Sequence, residues 1–163
     1  MIELRSQSVD DTRSIASAVA QLARAGDLIV LAGQMGAGKT AFAQGFARAL
    51  GIYEPVTSPT YTLVHTYHAG HTTLHHADLY RLEHTTEVDD LALAELLEDD
   101  AIVLVEWGDV VDLGDHLQIE LRLDDEAAHE NPEQREITMT SSDRRWAPRW
   151  ERLEAALDQW VLQ

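Results

Sequence analysis

Residues 27–50 read DLIVLAGQMGAGKTAFAQGFARAL. A short apolar run enters a glycine-rich loop, and the loop enters a stretch with helical spacing that Gly51 stops. The spacing Gly33-x4-Gly38-Lys39-Thr40 is that of a phosphate-binding loop set between a buried strand and a helix. Glycine lets the backbone wrap tightly, so that successive N–H groups point inward at phosphate oxygens. A helix opening at Lys39 adds the positive end of its dipole to the same place. In this pattern Thr40 offers a hydroxyl to Mg²⁺, and Lys39 folds back to set a compact ammonium between the β- and γ-phosphates. Lys39 is the only lysine of the chain, and the other eleven basic side chains are arginine. Arginine's planar fork is too wide to replace that point charge, which accounts for the one lysine kept.

A phosphate loop of this kind needs a second metal anchor, a carboxylate at the C-terminal end of a neighbouring buried strand. Glu106 ends the apolar run Ala101-Ile-Val-Leu-Val105 and is placed for that role. Asp78, in HADLYR, is the second candidate. It either holds Mg²⁺ through water or orients the attacking water; the competing reading is an ion-pair partner of Arg81.

The rest of the chain sets this loop in an α/β context. Residues 9–24 carry helical spacing at Ile15, Val19 and Leu22, with Asp10 or Asp11 as cap and Gly26 as the stop. Residues 61–82 read as two strands around a turn at Ala69-Gly70, and 86–99 as an acidic amphipathic helix. The segments 116–124 and 135–141 alternate, so that end of the sheet is expected to be antiparallel. A last helix is expected over 148–162, with Pro148 at its start. No repeat, linker or low-complexity segment interrupts the chain. We therefore expect one domain over residues 1–163, with a three-layer α/β fold of the P-loop NTPase type and a mixed sheet.

Composition narrows the function. Twenty-nine acidic and twelve basic residues give a net charge of −17. A chain this acidic is not expected to grip nucleic acid unaided, because phosphate neutralisation supplies most non-specific affinity. The charge suits either solubility or docking on a basic partner. The absence of cysteine excludes disulfides and thiol chemistry and fits a reducing cytoplasm. No apolar run is long enough to span a bilayer. Six of the eight histidines fall between His65 and His84. In a hairpin, His65, His68, His71 and His75 would approach one another, as a metal site or simply as solvated strand residues.

The nucleotide is expected to be ATP, since guanine readers use Asn-Lys-x-Asp and no second lysine exists here. Small-molecule kinases share the loop, and shikimate kinases have a similar size and a similar GxMGxGK run. Such kinases also need acidic substrate ligands soon after the first helix and a glycine-pair substrate loop; residues 52–64 read IYEPVTSPTYTLV instead, and no Gly-Gly pair occurs anywhere. A shikimate-kinase-like enzyme is the alternative reading.

The four segments GQMGAGKT, VTSPTYTLVHTY (56–67), HADLYRL (76–82) and VLVEWGD (103–109) together resemble the TsaE family in order and spacing. That family is the bacterial ATPase needed to make threonylcarbamoyladenosine at position 37 of tRNAs that read ANN codons. The resemblance covers about residues 8–140. It implies that Gly36, Ala37, Gly38 and Lys39 cradle the triphosphate, with Gly33 before them and Ala41 after Thr40 completing the nucleotide contacts. It also implies that Thr40 and Glu106 ligate Mg²⁺. Thr60 resembles a switch-like residue beside the γ-phosphate, Asp78 and Tyr80 match the DLYR segment, and Trp107 follows the metal carboxylate. Thr12 and Arg135 resemble outlying nucleotide contacts. The resemblance further implies slow intrinsic hydrolysis, a cytoplasmic location away from membranes, and action through the TsaD–TsaB transferase pair, with tRNA met only through that complex. The segment RRWAPRWERLEAALDQW follows no pattern of the family.

Overall fold

The computed structural model describes residues 1–57, 64–79, 93–98, 100–106 and 113–162. Two five-residue strands, β2 (Leu28–Ala32) and β5 (Ile102–Glu106), are buried at every position and pair in parallel. Unbroken apolar runs of this kind need cover on both faces, and the fold supplies it. Around them lie β1 (Ile2–Ser6), β3 (Val64–Ala69), β4 (Thr72–Asp78), β6 (Leu117–Leu123) and β7 (Arg135–Ser141). The seven strands form one sheet in the order β1-β7-β6-β2-β5-β4-β3. β6, β2, β5 and β4 run parallel, while β3, β7 and β1 join antiparallel. The mixed sheet follows from the two sequence patterns, continuous apolar runs at the centre and alternating runs at the flank.

One face is covered by α1 (Val9–Leu22), α2 (Lys39–Ala49) and α4 (Ala147–Leu157), the other by α3 (Leu93–Glu98). Phe42 and Phe46, one turn apart on α2, are fully buried with Leu31 and Leu104. Each such side chain stabilises the fold by about 1.5–3 kcal/mol. α1 and α2 cross at Gly45, where an added Cβ would lie 2.5 Å from the Arg13 carbonyl oxygen. This close crossing fixes α2, and with it the loop that α2 continues.

Several expectations are corrected in detail. Ser8, not Asp10 or Asp11, caps α1, its side chain accepting from Asp11 N. The helix ends at Leu22 with Ala23 as its C-cap; Gly26 sits in the following turn, its N–H reaching Ala101 O at 2.8 Å. The last helix stops at Leu157 and tightens into a 3-10 turn at Asp158–Trp160. Of the acidic helix expected over 86–99, Leu93–Glu98 is helical, and the remainder lies outside the described residues.

The C-terminal segment locks the sheet from the end opposite the loop. Arg149 and Asp27 are both buried and pair through two bonds, 2.7 and 3.0 Å. The Arg149 guanidinium also stacks 4.0 Å from the fully buried Trp146 ring and donates to Leu22 O at 2.8 Å. Beyond it, Val161 bridges Leu4 and Leu162 N donates to Glu3 O, covering part of the outer edge of β1.

The histidines of the β3–β4 hairpin divide between two faces. Register pairs His65 with His76 on one face, and Thr66 with His75 and His68 with Thr73 on the other. Among the described residues no three His, Asp or Glu are grouped to hold a metal ion by themselves.

Candidate nucleotide site

The loop leaves the C-terminal end of β2 and returns as the first turn of α2. Gly33 has φ 143, and an added Cβ would meet Leu121 O at 2.3 Å, so the chain passes β6 at a distance that only glycine allows. Gly38 has φ 104 and serves as the N-cap of α2 without a capping side chain. The first N–H of α2 to reach back along the helix is that of Phe42, to Gly38 O at 2.9 Å. The first turn of a helix is its positive end, and it suits an anion.

Lys39 is buried, and its ammonium curls back over the loop to donate to Gly33 O and, at 3.0 Å, to Gln34 O. Arg135, at the start of β7, braces the loop from the other side. Its Nε donates to Ala37 O at 3.0 Å and one terminal nitrogen to Gly36 O at 3.3 Å, while the other holds Pro132 O and Gln134 O. Burial lowers the pKa of this guanidinium and the nearby Glu133 opposes the shift. It remains a cation at neutral pH, because it starts far above that range. The carbonyls of Gly33, Gln34, Gly36 and Ala37 are thus taken up by Lys39 and Arg135.

The two acidic residues lie at strand ends. Glu106 stands opposite Leu31 on β2 and opposite Asp78 on β4, so both carboxylates lie at the same C-terminal end of the parallel strands from which the loop departs. Glu106 is 2 % exposed and Asp78 is half-buried. Thr40 lies in the first turn of α2, and Ala41 follows it. The donors gathered here are carboxylate and hydroxyl oxygens, a set that suits Mg²⁺ rather than a softer metal.

Other expected residues fall differently. Thr12 is buried within α1's first turns, its hydroxyl 2.7 Å from Ser6 Oγ and 3.4 Å from Ser8 O. No hydrogen bond joins Thr12 to the loop among the described residues. Thr60, Tyr80 and Trp107 lie outside the described residues. The segment leading to Thr60 is tethered on two sides: Gln44 of α2 donates to Val56 O at 3.2 Å, and the Tyr67 hydroxyl of β3 accepts from Thr57 N. Burial raises the Tyr67 pKa, the Thr57 N–H opposes it, and Glu54 adds to the rise. One residue had escaped the sequence reading. His76 is fully buried and lies 3.1 Å through Nε2 from Glu106 Oε1. Its signal was its place two residues before Asp78, on the same face of one strand.

Similarity to known proteins agrees with this geometry. A family model described as threonylcarbamoyl adenosine biosynthesis protein TsaE matches residues 6–137. The chain is 37% identical over 148 residues to the tRNA threonylcarbamoyladenosine biosynthesis protein TsaE of Bacillus subtilis, covering 89% of each chain. It is 39% identical over 140 residues to the protein of that name from Streptomyces coelicolor, covering 83% of this chain and 93% of the other. The crystal structure of YdiB from Bacillus subtilis is similar with a TM-score of 0.75 and 30% identity, covering 95% of this chain and 97% of that one. A match across most of the chain, together with a loop and two carboxylates at one end of a P-loop sheet, shows that the chain belongs to the TsaE family.

Proposed function

We propose that this protein binds ATP with Mg²⁺ at the loop 33–41 and hydrolyses it slowly, in support of threonylcarbamoyl modification of tRNA adenosine 37. The observation that carries the reading is the convergence of Lys39, Thr40, Glu106 and Asp78 where β2, β5 and β4 end together. The Lys39 ammonium binds the β- and γ-phosphates, leaving the loop carbonyls it now contacts or sharing itself with them. The N–H groups at the start of α2 bind the remaining phosphate oxygens, and Arg135 holds the loop open for them. Thr40 and Glu106 hold Mg²⁺, and Asp78 orients the attacking water. An ion held there would supply neutralisation of the charge that develops on the phosphates. One carboxylate and a hydroxyl are too few to hold that ion alone, so its shell would be completed by the phosphates and water, as is usual for Mg²⁺.

The proposed partners are the TsaD and TsaB transferase proteins. The net charge of −17 supports contact with tRNA through them rather than directly. Arg135, which faces the loop, is not aimed as a finger: it spends its donors on the carbonyls of Gly36 and Ala37 and of its own neighbours Pro132 and Gln134. Such a finger is worth roughly 10³–10⁵ in rate, so slow turnover alone is expected.

Glu106→Ala is expected to leave a folded protein whose Mg²⁺-dependent hydrolysis is impaired. Asp78→Asn is expected to lower turnover more than ATP affinity. Nucleotide titrations with and without Mg²⁺, beside turnover, check both. Loss of Mg²⁺-dependent binding in Asp78→Asn with none in Glu106→Ala would reverse the two roles.

A further inference from the structure

His76 and Glu106 pair across two neighbouring parallel strands. Leu74, His76 and Asp78 alternate onto one face of β4, and Leu104 and Glu106 share that face of β5. The register sets His76 opposite Leu104 and Asp78 opposite Glu106, so the imidazole reaches Glu106 diagonally, one step back from the strand ends. Its chain neighbour His75 points to the other face, where its Nδ1 lies 2.9 Å from the Thr66 hydroxyl. His76 is 0% exposed, an expensive place for a polar ring that serves only as filling beside Leu74 and Leu104. A metal takes Glu106 as a carboxylate, and a carboxylate only accepts hydrogen bonds, so Nε2 carries the hydrogen between them. Nδ1 is buried without a hydrogen-bond partner among the described residues. The ring is therefore held by a single polar contact, the one to Glu106.

We infer that His76 is a positioning residue: by donating from Nε2 to Glu106 Oε1 it fixes the carboxylate in the orientation that receives Mg²⁺ at the end of β5. The inference rests on the proposed function, because it takes Glu106 as a metal ligand. Partners of this kind, behind a ligating side chain, typically change metal affinity by about 10–100-fold when removed.

Two substitutions separate the donor from the bulk of the ring. Glutamine carries its amide nitrogen about where histidine has Nε2, and asparagine carries it about where histidine has Nδ1. His76→Gln keeps the donor to Glu106; His76→Asn removes it. Each variant and the parent are titrated with a non-hydrolysable ATP analogue in EDTA, then with Mg²⁺ at fixed analogue, and the Mn²⁺ spectrum of each complex is recorded by electron paramagnetic resonance. The metal-free affinity is expected to be the same in all three. The half-saturating Mg²⁺ concentration is expected to rise about 10–100-fold in His76→Asn and to return most of the way in His76→Gln, with the parent's Mn²⁺ spectrum. An unchanged Mg²⁺ titration in folded His76→Asn would overturn the inference while leaving the proposed function standing. So would loss of the metal response in folded His76→Gln, which tests the point even if the asparagine variant does not fold. A parent protein whose analogue binding ignores Mg²⁺ would remove the proposed function and the inference together.

Discussion

Lys39→Arg is expected to bind ATP nearly as poorly as Lys39→Ala. Lys39 is 6% exposed, and its ammonium sits against Gly33 O and Gln34 O, inside the curl of the loop. A guanidinium keeps the charge, but its planar fork does not fit between those carbonyls and the first turn of α2 without moving the loop. Moving it is costly, because Gly33 passes Leu121 O with no room for a side chain and Arg135 grips Gly36 O and Ala37 O. Charged hydrogen bonds contribute about 1.5–3 kcal/mol each, so losing one or two weakens binding by roughly 10–100-fold or more. Equilibrium titration with a fluorescent ATP analogue measures it. Near-parental affinity in Lys39→Arg would contradict the geometric explanation for the single lysine.

Arg149→Met is expected to cost about 3–5 kcal/mol of folding stability, the usual penalty for leaving a buried charge without its partner. Here the stranded group is Asp27, 1% exposed, keeping only the Arg24 N–H at 2.7 Å. Replacing both residues together, Asp27→Leu with Arg149→Met, is expected to cost less than the two single changes added. Urea unfolding followed by circular dichroism gives all three values. Asp27 precedes β2 and the loop follows it, so the pair lies roughly 20 Å from the phosphate site at strand rise. ATP affinity of the folded fraction is therefore expected to be unchanged. An affinity that falls in step with stability would tie the lock to the site.

These two residues mark what the sequence made legible and what it did not. The loop could be read because its chemistry demands particular residues at fixed spacing, and Lys39, Thr40 and Glu106 follow from that demand. β1 could not be read with the same ease: IELRS is five residues long, and its only signal is burial at alternate positions, Ile2, Leu4 and Ser6. Arg149 carries no local signal at all, because its partner stands 122 positions earlier. Arg135 was expected near the nucleotide on resemblance alone; its side chain reaches the loop, though it bonds loop carbonyls. His76 was hidden in a run of histidines, and only the strand register separates it from His75 and sets it against Glu106.

The central claim is an ATPase that works through protein partners, and turnover in three mixtures tests it most directly. ATP hydrolysis is measured with the protein alone, with a panel of small-molecule phosphate acceptors, and with the purified TsaD–TsaB pair. The account predicts little turnover alone, no phosphorylated acceptor in the second mixture, and clear acceleration in the third that Lys39→Ala abolishes. A phosphorylated metabolite formed without any partner protein would contradict it and make the protein a kinase of the shikimate-kinase-like kind.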